Sequence, residues 1–213
     1  MIQYISENFF YIASKAGEHI YIAMLALVLG AIVAVPIGVM ITRTQKIADV
    51  IIGFASILQT VPSLALLAMM IPFFGVGKVP AVVALFIYSL LPILRNTYNG
   101  MKSVNPNIVD AAKGMGMTDM QSIFKVELPL AAPVIMAGIR LSAVYVIAWA
   151  TLATYIGAGG LGEIIFSGLK TAKPHVIIAG TIPISLLALL ADFILGKAEK
   201  MVTPFTGAEK GAN

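Results

Sequence analysis

Cysteine is missing from all 213 residues, which excludes disulfide bonds, thiol nucleophiles and thiolate metal sites. Charge is scarce: 11% of residues are Asp, Glu, Lys or Arg, against about 25% in a soluble domain. No GxxxxGK[ST] loop occurs, so the chain offers no phosphate cradle for a nucleotide. The two histidines, His19 and His175, have no carboxylate at ligand spacing on the same helix face, and no metal site is expected. No Ser/His/Asp arrangement stands out, so no enzyme is read from the sequence.

What fills the chain instead is apolar. Hydrophobic residues make up 59%, and mean hydropathy is +0.95. Charge-free runs cover 20–42, 50–77, 79–94, 141–162 and 176–191, of 23, 28, 16, 22 and 16 residues. A helix needs about 20 apolar residues to cross a bilayer, and backbone in lipid must bond internally. The two shorter runs reach that length if Arg95 snorkels to the interface and the fifth continues from Asp192 to Gly196. The expectation is an all-α integral membrane protein with about five transmembrane helices. An outer N-terminal interfacial segment (1–18), one transmembrane domain (19–205) and a cytoplasmic tail (206–213) complete the division.

Residues 1–18 mix Ile2, Tyr4, Ile5, Phe9, Phe10 and Ile12 with Glu7, Lys15 and Glu18, which reads as an amphipathic helix lying in the outer interface. With the N-terminus outside, nine basic residues fall on the inner side and four outside, Arg140 lying within a span. That asymmetry agrees with the positive-inside rule, so the net charge of +4 reflects orientation and not nucleic-acid binding. Pro62 sits inside the second run, and a proline there predicts a kink near Gln59–Val61; a broken helix lining a pathway and an ordinary membrane proline both fit.

Residues 96–130 form the longest polar segment. Asn105-Pro106 reads as an N-cap with proline at the first helical position, and the spacing predicts a helix to about Lys113. Gly114 and Gly116 permit a left-handed turn. Thr118 and Gln121 have capping-box spacing, so a second helix follows, with the fourth span starting near Ala131. Ile108, Val109, Ala112 and Met115 form an apolar stripe that must pack on the bundle or on a partner.

Asp110-Ala111-Ala112, three residues, Gly116, nine residues, Val126, one residue, Leu128-Pro129 resembles the EAA loop of bacterial ABC importer permeases, EAA-x3-G-x9-I-x-L-P. Asp for Glu and Val for Ile are the departures. The stretches LQTVPSLALLAMMIPFFGVG, LLPILRNTYNGM and ATYIGAGGLGEIIFSGL are similar to the osmoprotectant permeases that import glycine betaine, carnitine and choline. The resemblance implies a channel-forming subunit in a bacterial cell membrane. It further implies a second permease subunit, the same or paralogous, a cytoplasmic ATPase dimer that carries the ATP and Mg, and an extracellular substrate-binding lipoprotein. Asp110, Ala111, Ala112, Gly116, Leu128 and Pro129 would then form the coupling helix and its brace, seated in an ATPase groove. A permease for another small substrate such as methionine stays open.

Pathway or gate candidates are Pro62, Tyr145, Trp149, Tyr155, Gly159 and Gly160. The aromatic rings can face a quaternary ammonium group or simply pack; the glycines can serve a mobile outer gate or a tight turn. Arg140 and Asp192 are the charges expected inside the bilayer, in its cytoplasmic half, where they would pair. The alternative is a proton relay in an ion-coupled secondary transporter.

Overall fold

The computed structural model describes residues 2–203, with side chains from residue 4 onward; the tail 206–213 with Lys210, and the Ile2 side chain, lie outside the described residues. Regular structure among the described residues is helical: α1 (Ile2–Glu7), α2 (Phe9–Met40), α3 (Gln45–Thr60), α4 (Ser63–Phe74), α5 (Lys78–Lys102), α6 (Pro106–Gly114), α7 (Asp119–Ser122), α8 (Leu128–Ala150), α9 (Gly162–Lys170) and α10 (Pro174–Val202). Short 3₁₀ turns extend α2 through Ile41–Arg43 and α8 through Thr151–Ile156.

Among the described residues four continuous helical stretches are long and apolar enough to cross a membrane: Phe9–Arg43, Lys78–Lys102, Asp119–Ile156 and Pro174–Val202. The pair α3–α4 is bent by 97°. Pro62 has no N–H to give, and it forces Val61 out of the helical region; Val61 and Pro62 are both extended, with ψ of 128° and 135°. The expected kink is thus a full break.

Whether this bent pair crosses or returns is decided by its two ends. Arg43 closes the first crossing, and Lys78, which opens α5, reaches Glu18 near the start of α2 at 3.3 Å. Glu18 and Arg43 are 25 residues apart, about 37 Å along a helix. The chain therefore leaves one end of the bundle at Gln45 and arrives at the other by Lys78. α3 and α4 together make one broken crossing, which brings the crossings among the described residues to five.

Glycines set how closely the helices approach. A Cβ on Gly38 of α2 would lie 2.6 Å from Thr97 Cβ, and one on Gly138 of α8 would lie 2.5 Å from Asn96 Cβ. Adjacent residues of α5 thus dock into a glycine notch on either side. Around them Leu27, Ala34, Ile93, Leu94 and Ala143 form one buried cluster. Nearer the other end, Ile22, Ala26, Leu85, Val146 and Ala150 form a second.

Two sequence expectations need correction. Residues 9–18 are the first turns of α2, not part of a separate interfacial helix. Their charges are neutralised within the bundle, since Lys15 pairs with Glu18 at 3.1 Å and with Glu163 of α9. The helix that carries the fourth span does not begin near Ala131 either. Helical structure runs from Asp119 through a π-turn at Ile123–Glu127 into α8.

Candidate functional site

The loop between α5 and α8 is built by local capping. The Asn105 side chain accepts from the Asn107 N–H at 3.0 Å, and Pro106 opens α6. Gly116, at φ +85°, ends it. The Met117 N–H donates to Ala112 C=O at 3.2 Å and the Gly116 N–H to Lys113 C=O at 2.9 Å, the paired bonds of a Schellman motif. The reciprocal box follows, Thr118 N–H to Gln121 Oε1 at 2.9 Å and Gln121 N–H to Thr118 Oγ1 at 3.3 Å. The predicted helix, glycine turn and helix are all present, but the second helix is the end of the fourth span and no free hairpin arm.

The apolar stripe on α6 splits. Ala112 is 2% exposed and Val109 half-buried, both against their own chain. Ile108 (44%) and Met115 (73%) point outward, and Ala111 is exposed with them. Positions 108, 111 and 115 are i, i+3 and i+7, one face of a helix; 109 and 112 form the next face round. Asp110 is exposed, Leu128 half-buried and Pro129 exposed. Of the two alanines, Ala111 faces outward and Ala112 does not.

A contact the sequence reading missed anchors this loop. Glu127, 5% exposed, accepts from Arg43 Nη2 at 2.8 and 2.9 Å and from Ser122 Oγ at 3.0 Å. It ties the π-turn to the end of the first crossing, 84 residues away. A lone carboxylate in the apolar run V-E-L-P is the available signal; its partner Arg43 reads in the sequence only as a surface charge.

Deeper in the membrane, the structure brings Pro62, Tyr145 and Trp149 to one place and adds Tyr88. The Tyr88 hydroxyl donates to Val61 C=O at the break. Its ring lies 4.6 Å from that of Trp149, which lies 5.5 Å from Tyr145. Tyr155 is elsewhere, 4.1 Å from Phe166 of α9.

Gly157, Gly159 and Gly160 all take positive φ, between 74° and 81°, and form the turn after the fourth span. Glu18 Oε2 accepts from the Gly160 N–H at 3.1 Å, and a Cβ on Gly159 would meet that oxygen at 2.4 Å. The turn is held to α2 by this carboxylate, which Lys15 and Lys78 also bind. His19 is buried, with Nε2 2.9 Å from Ile147 C=O.

Arg140 and Asp192 face each other. Nε and Nη2 donate to the two carboxylate oxygens at 2.6 and 2.8 Å, and Nη1 donates to Glu199, one further partner, at 3.2 Å. Arg140→Ala strands two carboxylates against an apolar helix, and the yield of monodisperse protein in size-exclusion chromatography is expected to fall several-fold. The exchange R140D/D192R restores part of it; an unchanged yield for R140A would show the bridge to be dispensable.

Among the described residues no three His, Asp or Glu side chains gather as a metal would need. The family model described as "Binding-protein-dependent transport system inner membrane component" matches residues 19–203. The chain is 55% identical over 204 residues to the glycine betaine/carnitine/choline transport system permease protein OpuCB of Bacillus subtilis (strain 168), covering 96% of this chain and 94% of that one. It is 54% identical, at the same coverage, to the carnitine transport permease protein OpuCB of Listeria monocytogenes. In fold it is similar to an inward-facing structure of the MetNI methionine ABC transporter, with a TM-score of 0.82 at 23% identity, covering 92% of this chain and 97% of that one. A transmembrane bundle with a capped loop at one end, matched over most of its length by that model, belongs to the binding-protein-dependent transport system inner membrane components.

Proposed function

We propose that this chain is a channel-forming permease subunit of an ATP-driven importer for quaternary-amine compatible solutes such as glycine betaine, carnitine and choline. The observation that carries the substrate class is the identity of 54–55% over 96% of the chain to permeases named for those solutes. Methionine is disfavoured, because the likeness to the methionine transporter is at 23% identity. A secondary carrier is set aside by membership of a binding-protein-dependent family.

In this reading the end bearing Arg43, α6 and Glu127 is cytoplasmic, the N-terminus outside and the C-terminus inside, which puts the excess of Lys and Arg inward. The Ile108–Ala111–Met115 face of α6 seats in a groove of a separate ATPase subunit, which holds the ATP and Mg; small Ala111 lets the helix approach closely. A binding lipoprotein delivers the solute at the opposite end, beside the Gly157–Gly162 turn. A second permease subunit, a copy or a paralogue, completes the channel. Closure of the ATPase dimer draws two such helices together and rocks the bundles from inward-open to outward-open.

The test is co-purification of the ATPase with the tagged permease. Ala111→Arg and Met115→Glu change only the outward face, and each is expected to release the ATPase and reduce import about 100-fold, a loss typical of removing interface hot spots. Unchanged melting of the permease would show that its fold is intact. Retention of the ATPase by both variants would overturn the docking assignment. Ala112 is unsuitable for this test, because it is buried in its own chain.

A further inference from the structure

We propose that Tyr145 and Trp149, backed by Tyr88, form a contact site for the quaternary ammonium group of the solute inside the permease. The site rests on the substrate class proposed above and locates where that substrate is met.

The cluster is layered from buried to open. Tyr88 is 3% exposed and is fixed by its hydroxyl to the Val61 carbonyl at the broken crossing. Trp149 packs against it with the rings tilted by 51° and is half-buried. Tyr145, next in the row, is 40% exposed. It shares its helix face with Leu141 and Ala148, also exposed, at i−4 and i+3. This face of α8 is turned away from the chain's own bundle. Trp149 is the chain's one tryptophan. It lies seven residues before Ile156, where the fourth crossing ends, inside the level at which interfacial tryptophans sit.

A permanently charged ammonium without N–H donors cannot be held by directed hydrogen bonds. What replaces its hydration is a π face or a carbonyl dipole. The platform supplies rings, and the adjacent break interrupts the carbonyl ladder: the backbone bonds there are Val61 N–H to Leu58 C=O at 3.4 Å and Leu66 N–H to Pro62 C=O at 3.0 Å. Discontinuous helices near the midplane are where transporters commonly place their sites. Asp192 is already bonded twice by Arg140 and is not available to a cation. All three rings belong to one wall, so the contact is weak, as transit requires, until the second permease subunit closes the open side.

The single tryptophan provides the probe. The complete transporter is reconstituted in liposomes, and the emission of Trp149 is taken as the difference between wild-type and W149F complexes. Choline is expected to quench this difference signal at millimolar concentration, and its uncharged isostere 3,3-dimethyl-1-butanol to leave it unchanged. Trp149→Leu is expected to lower maximal choline import about tenfold, the order of one desolvated cation–π contact. W149F, which keeps an aromatic face, keeps most of the rate, and recovery of both variants as intact complexes in size-exclusion chromatography shows that assembly is kept. An equal response to both compounds, no response to choline, or wild-type import by W149L would overturn the site. A wild-type complex that hydrolyses ATP but imports no quaternary amine would instead overturn the substrate class itself.

Discussion

Replacing Gly138 with valine is expected to prevent accumulation of folded permease, a more damaging change than the loss of either the Arg43–Glu127 or the Arg140–Asp192 ion pair. A Cβ at this position would stand 2.5 Å from Asn96 Cβ and 3.1 Å from the Pro92 carbonyl oxygen. Neither is the free end of a flexible side chain. The strain can be relieved only by moving α5 away from α8, yet Thr97 on the adjoining face of α5 is held in the Gly38 notch, 2.6 Å from where a Cβ would be. A shift away from one neighbour drives α5 into the other. Overpacking of this kind costs about 3 kcal/mol or more, and lipid offers no hydrophobic compensation for helices that separate. Size-exclusion profiles of G138A, G138S and G138V should worsen in that order. A well-behaved G138V would show that α5 and α8 do not approach as described. Gly53 is the internal control, since a Cβ there meets nothing within 4 Å; Gly53→Ala is expected to leave the profile unchanged.

Glu127→Ala is expected to destabilise the permease by about 3 kcal/mol, the lower end of the cost of removing one partner from a buried ion pair. The lower end applies because the Arg43 side chain is 44% exposed while that of Glu127 is only 6% exposed, so water can partly recover the guanidinium. The loss falls at the junction of the first crossing, the π-turn and the capped loop, and α6 should lose its fixed position relative to α2. Import should therefore decline more than the residual fold content does. Apparent melting temperature and transport rate are measured for E127A, E127Q and the exchange R43E/E127R. Recovery of stability in the exchange would identify the pairing itself as the stabilising element. A wild-type melting temperature for E127A would show that the bridge contributes nothing. E127Q should fall between, as it keeps the hydrogen bond from Ser122 and loses the charge.

How much of the molecule is legible in its sequence follows from the range over which each feature is set. Five charge-free runs, the Asn105 cap, the Gly116 turn and the Thr118–Gln121 box are readable, because each depends on residues within one helical length or within four positions. The break at Pro62 is readable in place but not in size. A proline interrupts a helix by itself, yet how far the two pieces then diverge depends on what receives them, in this bundle Tyr88 on α5. The split of the α6 stripe is not readable, since α6 and its capping residue Met115 present Ile108–Ala111–Met115 and Val109–Ala112 as adjacent faces and only packing selects the buried one.

The sequence by itself determined that this chain is a multi-pass helical membrane protein, and where its coupling-like loop lies. Hydrophobic length and local capping suffice for that, because backbone in lipid has no alternative to the helix. Only the tertiary structure decided that the bent pair crosses, that Arg43 holds Glu127, that Glu199 joins Arg140 and Asp192, and that Tyr88 completes the ring cluster. Those partners lie between 27 and 84 residues apart in sequence. Helix packing alone brings them within reach, through glycine notches whose positions carry no periodic signal along the chain.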